Sequence, residues 1–336
     1  MSSQILTKNY LENTFRFRRL RSNSVLAEMY AETSLNLNKF IYPLFIVDKL
    51  GYKEEIKSMP DIFQQDIDNA LFEIESLVKH GLKSVILFGI PTTKDATGSQ
   101  AYDDNGIVQR AIRKIKSTFP ELMVVSDTCL CEYTDHGHCG LIQGNTVLND
   151  ESLVILAKSA VSQAAAGADL IAPSDMLDNR VGFIRSSLDD AGFKNIPIMA
   201  YSAKYASSFY GPFREAAQSA PMFGDRKSYQ MDPRNSREAL REIEQDIKEG
   251  ADIIMVKPAL SYLDIISQAK AKFNHPVAAY NVSGEYSMVK AAGRNGWINE
   301  ELVIREILIS IFRSGCDILI SYHTKDLINF LAKTNI

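Results

Sequence analysis

Cys129, Cys131 and Cys139 fall within the single run DTCLCEYTDHGHCG, residues 127–140, so three of the four cysteines are clustered. Thiolates so close together suit a soft ion that accepts tetrahedral coordination, such as Zn²⁺, and three protein ligands leave a fourth position for water or substrate. The run therefore points to chemistry more than to a staple. Two plainer readings stand beside it: unligated thiols, and a disulfide from Cys139 to either neighbour in an oxidising compartment. A bridge between Cys129 and Cys131 is disfavoured, since side chains at i and i+2 of an extended chain lie ~7 Å apart. His136 and His138 could add ligands, stand behind the ligands, or lie at the surface. The N-terminal MSSQILTKNY has no apolar signal-peptide core, and no stretch reaches the ~20 apolar residues of a membrane span. A cytoplasmic protein with reduced thiols and no membrane partner is expected.

Lys257 ends the run Ile253-Ile-Met-Val-Lys257 and precedes Pro258, which places an ammonium at the close of an apolar strand. Desolvation there favours the neutral, nucleophilic amine, and a second cation nearby pushes the same way. Lys204, in Met199-Ala-Tyr-Ser-Ala-Lys204, is the candidate second cation. Either lysine alone could equally be a solvated or ion-paired side chain. After Lys204 a long connection, Tyr205 to Asn235, is broken by Gly211-Pro212, Gly224 and Asp232-Pro233 and reads as a lid or binding loop. It holds Arg214, Arg226 and Lys227, which could grip a carboxylate, the arginines bidentately, or be ordinary surface charge. The residues alone lead to a Schiff-base, zinc-assisted carbonyl enzyme with a carboxylated substrate.

Such groups need a frame, and the hydrophobic pattern supplies one. Apolar runs at Phe40–Val47, Ser84–Phe88, Leu122–Ser126, Leu170–Pro173, Ile196–Tyr201, Ile253–Lys257, Val277–Asn281 and Ile318–Tyr322 alternate with helical patterns such as Asp66–His80, Glu151–Ala166, Ser236–Lys248 and Glu300–Arg313. Helix stops recur at Gly81, Gly167, Gly250 and Gly315, within the similar segments KHGLK, AAGAD, KEGAD and RSGCD. Eight βα units predict an α/β protein built as a TIM (β/α)8 barrel. Its chemistry belongs at the C-terminal strand ends. There the reading places Asp127 after the third strand, Ser174 and Asp175 after the fourth, and Lys204 after the fifth. Lys257 ends the sixth, Ser283 follows the seventh and Tyr322 ends the eighth.

A chain of 336 residues, 46% apolar, can bury a large core, and a formal charge of −4 gives no reason to expect nucleic acid as a partner. No GxGxxG or Walker loop supports a nucleotide cofactor. The basic run Arg16–Arg21 suits an arm that packs on another subunit, or an anion site. Cys316 starts a strand and reads as core.

The runs DTCLCEYTDHGHCGLI, APSDMLDNRVGFIR, YSAKYASSFYGPFREAAQSAPMFGDRKSYQMDPRNSREALRE, GADIIMVKPALSYLDII and YNVSGEYSMVKAA together resemble the porphobilinogen synthase (5-aminolevulinate dehydratase) family. The likeness runs from about Thr14 to the end and includes the arm-like RFRRLRSN and the first strand IYPLFIVD. It implies condensation of two 5-aminolevulinate molecules to porphobilinogen, an early step of tetrapyrrole synthesis. Lys257 would form the Schiff base with the propionate-side substrate and Lys204 that with the acetate-side one. Cys129, Cys131 and Cys139 would hold the catalytic zinc, as in the zinc-dependent branch. Arg214 and Arg226 would clamp the acetate-side carboxylate near Gln230, Ser283 and Tyr322 the propionate-side one, and Asp127 and Ser174 would line the pocket. Glu242, fifteen residues before Lys257, would hold an allosteric Mg²⁺, or else is a solvated helix charge. The family implies a homo-octamer, with residues 1–38 as the arm and 39–336 as the catalytic barrel. Asn179 stands where relatives commonly carry glycine, a change that left-handed backbone tolerates, and His323 has no assigned role. A class I aldolase would explain the barrel and Lys257 alone, and a non-catalytic zinc scaffold the cysteines alone.

Overall fold

The computed structural model describes residues 15–334, so the first fourteen residues of the expected arm lie outside the described residues. The chain divides at Ser34/Leu35 into two compact units. In the first, a 3₁₀ turn at Phe17–Arg21 leads to helix α1, Ser24–Met29, whose cap Asn23 accepts from Val25 N at 2.9 Å.

The second unit is an eight-stranded parallel barrel. Its strands are β1 Phe40–Val47, β2 Ser84–Ile90, β3 Met123–Thr128, β4 Leu170–Pro173, β5 Met199–Lys204, β6 Ile253–Lys257, β7 Val277–Asn281 and β8 Ile318–Ser321. They pair in the order β4-β3-β2-β1-β8-β7-β6-β5. The seam between β4 and β5 is held by the bridge Ile171↔Ile198, with Ile171 N donating to Pro197 O at 3.1 Å. Around them lie α2 Ile67–Val78, α3 Ile107–Thr118, α4 Asn149–Ala165, α5 Arg180–Asp190, α6 Gly211–Ala216, α7 Arg237–Lys248, α8 Leu263–Lys272, α9 Ser283–Arg294, α10 Glu300–Arg313 and α11 His323–Thr334. Strands buried on both faces explain why the sequence shows unbroken apolar runs rather than alternation. Short antiparallel pairs at Lys53–Glu55/Phe63–Gln65 and Leu141–Gln143/Thr146–Leu148 were not expected from the sequence.

The recurring glycine segments acquire a physical meaning. Gly81, Gly167, Gly250 and Gly315 all have φ between 103° and 113°, the left-handed turn that ends a helix without a Cβ clash. Two residues on, Asp169, Asp252 and Asp317 each accept a neighbouring backbone N–H, from Val124, Ile198 and Val277, at 2.8–2.9 Å. All four segments therefore stop a helix, and the three that carry the aspartate also pin the lower edge of a strand pair.

Four strands differ from expectation at their ends, and the first of them, β2, runs on past Phe88 to Ile90. β3 runs to Thr128, so Asp127 lies within it; β5 starts later and finishes at Lys204; β8 stops one residue before Tyr322. Pro197 has no N–H to give a ladder, which delays β5. The Tyr205–Asn235 connection is also more structured than a bare loop, holding a 3₁₀ turn at Ser208–Tyr210 and then α6.

Candidate active site

Lys204 and Lys257 are register partners at the C-terminal ends of β5 and β6. Each is only 5% exposed. Tyr280, Tyr201, Phe213 and Tyr210 place their ring centroids 4.3, 4.9, 5.2 and 5.3 Å from Lys257 Nζ. Aromatic faces attract an ammonium by about 0.5–2 kcal/mol. Loss of water outweighs that attraction: burial, then the Lys204 charge, pushes Lys257 down to about 7, against the pull of Asp127. Lys204 Nζ donates to the Ser174 carbonyl and lies 5.6 Å from the Tyr201 ring.

A local irregularity makes this meeting possible. Ile254 pairs with Ala200 but Val256 with Ala203, so β5 carries one extra residue in that stretch. Tyr201 and Lys204, three apart, would face opposite sides of a regular strand. The bulge resets the phase, and both reach the same site.

On the β3 side, Ser174 Oγ donates to Asp127 Oδ2 at 3.0 Å. Burial, then Glu132, pushes the Asp127 carboxyl up to about 7. Beyond Thr128 the chain turns, and the sulfurs of Cys129, Cys131 and Cys139 come within 4.8 Å of one another, all buried. Cys129 and Cys131 are 3.4 Å apart, closer than an extended chain would allow, because residues 129–131 are not extended. All four cysteines are free thiols. A tetrahedral centre with Zn–S bonds of about 2.3 Å separates its sulfurs by roughly 3.8 Å, so the donor set fits a small thiophilic cation. Burial raises the Cys129 thiol, whereas hydrogen bonds from Cys129 and Cys131 hold Cys139 well below the ordinary thiol range. His136 and His138 are buried, not at the surface. His138 is engaged on both ring nitrogens, with Tyr229 Oη at 3.2 Å and the Phe223 carbonyl at 3.1 Å. His136 Nδ1 accepts from His138 N at 3.1 Å.

The Tyr205–Asn235 connection brings cations to the same region. Arg214 sits on α6, and burial followed by Arg226 lowers its pKa, so two guanidiniums are held close against their repulsion. Arg226 is buried and donates to the carbonyls of Gly137 at 2.8 Å and Ser219 at 2.5 Å. Nε of both arginines and both amide atoms of buried Gln230 have no partner among the described residues. Buried polar atoms of this kind are ordinarily satisfied, and a carboxylate would satisfy the three donors among them, the two Nε–H groups and the Gln230 amide nitrogen. Lys227 is different: it is exposed and pairs with Asp225 at 3.4 Å.

Ser283 opens α9, donates to the Phe209 carbonyl at 3.2 Å and accepts from Phe213 N at 3.0 Å, which ties the lid to β7. Tyr322 is buried, with its hydroxyl 3.0 Å from that of Tyr280. Glu242 lies elsewhere, half-buried on α7 in a cleft of about 550 Å³ shared with Asp178, Arg180 and Asp246.

Sequence reasoning missed Glu132, buried against Cys131 Sγ at 3.3 Å, and the aromatic walls around Lys257. It also missed Arg180, which pairs with Asp246 at 3.1 Å and Asp175 at 3.8 Å and donates to the Tyr201 carbonyl at 3.1 Å. Its neighbour Asn179 takes the left-handed backbone, φ 63°, as expected. Only the spacing of Tyr201 to the lysine carried any hint, and that spacing argued for the wrong face.

The fold and these side chains define a (β/α)8-barrel protein whose strand ends carry paired buried lysines beside a three-cysteine group able to hold a metal. The sequence family described as delta-aminolevulinic acid dehydratase matches residues 14–330. The delta-aminolevulinic acid dehydratase of Bacillus subtilis is 58% identical over 95% of this chain and 98% of its own length. That of Synechococcus elongatus is 57% identical over 95% and 99%. A crystal structure of delta-aminolevulinic acid dehydratase (porphobilinogen synthase) from Toxoplasma gondii, in complex with the reaction product porphobilinogen, superposes with a TM-score of 0.92. It shares 40% identity and covers 94% of this chain and 91% of its own. The chain belongs to the delta-aminolevulinic acid dehydratase family.

Proposed function

We propose that this protein condenses two 5-aminolevulinate molecules to porphobilinogen, a lyase reaction that releases two waters and serves tetrapyrrole synthesis. The observation that carries the reading is the in-register pair Lys204 and Lys257, buried together, with Lys257 poised near neutrality. The neutral amine of Lys257 attacks the ketone of one substrate, and loss of water gives an iminium that acts as an electron sink. Lys204 does the same for the second substrate. Each lysine is returned as its imine carbon takes up a new bond, which accounts for the two waters. Holding both substrates side by side removes their mutual entropy before bond formation.

Arg214, Arg226 and Gln230 receive the acetate-side carboxylate, and Ser283 and Tyr322 the propionate-side one, with Asp127 and Ser174 lining the pocket. Cys129, Cys131 and Cys139 would hold the metal, and their sulfur donors favour zinc. Bound zinc supplies Lewis acidity and a lowered pKa for a bound water. Glu242 is assigned to an allosteric Mg²⁺, supported by the acids Asp178, Glu238 and Asp246 that act on it. Residues 1–38 would serve as the subunit-contact arm of a cytoplasmic homo-octamer, with 39–336 as the catalytic barrel. Exposed Phe15, Phe17, Val25 and Met29 support the arm assignment. Among the described residues no helix is long and apolar enough to cross a membrane.

Borohydride trapping tests the core of this reading. With 5-aminolevulinate, covalent label should appear chiefly at Lys257; protein that forms porphobilinogen without labelling any lysine would overturn it.

A further inference from the structure

A second buried polar group lies behind the proposed carboxylate site and takes no part in the reaction described above. Its centre is Asp326, in the first turn of α11. One carboxylate oxygen accepts from His323 Nδ1 at 2.8 Å, and the other pairs with Lys290 Nζ at 2.7 Å. His323 is fully buried and Lys290 is 4% exposed. Lys290 also pairs with Glu300 at 2.8 Å and Asp61 at 3.7 Å. Burial keeps His323 below its ordinary range, so the imidazole is neutral and its Nδ1–H is the donor.

The connection from this group to the site is short. Asn281 of β7 and Ser321 of β8 are register partners. Ser321 Oγ donates to Asn281 Oδ1 at 2.9 Å and accepts from His323 N at 3.1 Å. From this rung both chains turn into helices, α9 starting at Ser283 and α11 at His323, with Tyr322 between rung and helix. Lys290 lies seven residues beyond Ser283, two turns along the same face of α9. The Lys290–Asp326 pair therefore fastens α9 to α11 behind Ser283 and Tyr322. A row of rings runs parallel to it: His323 packs on Tyr286 at 4.6 Å, and Tyr286 on Tyr322 at 5.7 Å.

An apolar aromatic would fill the His323 position and preserve the ring contact. The imidazole adds an N–H aimed at a largely buried carboxylate that two helices share, and it does so although its own buried Nε2 finds no partner among the described residues. We infer that His323 is a positioning residue: through Asp326 and Lys290 it sets the placement of Tyr322 relative to Ser283, and thereby the affinity for the carboxylate of the substrate held on Lys257. This rests on the reaction proposed above. His323 touches no reacting atom, so its loss should weaken substrate binding and leave the chemistry of bound substrate nearly intact.

Steady-state kinetics of porphobilinogen formation by the full-length, zinc-loaded protein test this with two replacements. His323→Phe keeps the ring and removes the donor; His323→Asn returns an N–H near the Nδ1 position without the ring. For His323→Phe, KM should rise about tenfold, the size of one lost charge-assisted hydrogen bond. Its kcat should stay within about twofold of wild type, the pattern of lost ground-state binding. His323→Asn should recover most of the KM, and Lys290→Met combined with His323→Phe should add less than the two separate effects, since both act through Asp326. An unchanged KM in His323→Phe, a fall in kcat at constant KM, or equal impairment of His323→Asn would overturn the inference while the reaction stands. Wild-type protein without turnover would overturn the reaction and the inference together. Should His323→Phe not fold, Asp326→Asn against His323→Asn is judged by the same KM-against-kcat criterion.

Discussion

Lys204 and Lys257 sit opposite one another on adjacent parallel strands, and Tyr201 reaches both, 5.6 Å from one ammonium nitrogen and 4.9 Å from the other. Two cations so placed in a buried site cannot both hold their protons without cost, and that cost adds to the larger effect of burial in bringing Lys257 down to about 7.

The acid limb of Schiff-base formation should report this directly. Because the neutral amine attacks, the rate of borohydride-trapped labelling at Lys257 should rise with pH through about 7 and level off above it. Burial is the larger cause of the lowered value and Lys204 the next. Lys204→Gln should therefore move the midpoint to higher pH without restoring an ordinary lysine value. A midpoint that stays put would show that Lys204 does not act on Lys257.

The same pair carries a stability signature. In the unfolded chain a lysine titrates at about 10.4, above the folded value of about 7, so between those limits the unfolded state binds more protons. Stability should rise with pH across that window. Urea unfolding of Lys257→Met at pH 7 and pH 10 should lose this rise, all other groups being unchanged.

Metal removal separates binding from the full reaction. Incubation with a zinc chelator under reducing conditions should abolish porphobilinogen formation, and zinc should restore it. Cys129→Ser should lower the zinc content measured by elemental analysis. Full activity in metal-free protein would remove the cysteines from the mechanism.

Arg214 and Arg226 provide a further test of the carboxylate assignment. Arg214→Leu should raise KM for 5-aminolevulinate by about tenfold or more, since a charge-assisted contact to the substrate is lost. A normal KM would return Arg214 to the role of a lid charge.

The buried pair Arg180–Asp246 should matter for folding. Asp246→Ala leaves a guanidinium buried without its main partner, and urea titration should show a loss of about 3–5 kcal/mol. Loss below 1 kcal/mol would mean that Arg180 finds other partners, such as Asp175, without difficulty.

The barrel was legible because its cues are local. Unbroken apolar runs, the Gly-x-Asp segments and eight repeats of strand and helix lie along the chain, and they survive small errors at element ends. The cysteine run and the lysine that closes an apolar strand were legible for the same reason. Much less visible were Tyr201, Arg180 and the His323–Asp326–Lys290 group, whose roles draw on residues distant along the chain, and Glu132, whose burial beside Cys131 follows from the turn after Thr128.

What the sequence determined by itself is therefore the inventory: a parallel barrel, two lysines and three cysteines at strand ends, and cations in a long lid. Only the tertiary structure decided how they meet. One extra residue in β5 reverses the facing of Lys204 relative to Tyr201, a turn after Thr128 draws three sulfurs together, and the pairing of β5 with β6 sets Lys204 beside Lys257. Composition and periodicity report which face of an element is apolar, but a single-residue change in register inverts that face, and register is settled by pairing between strands.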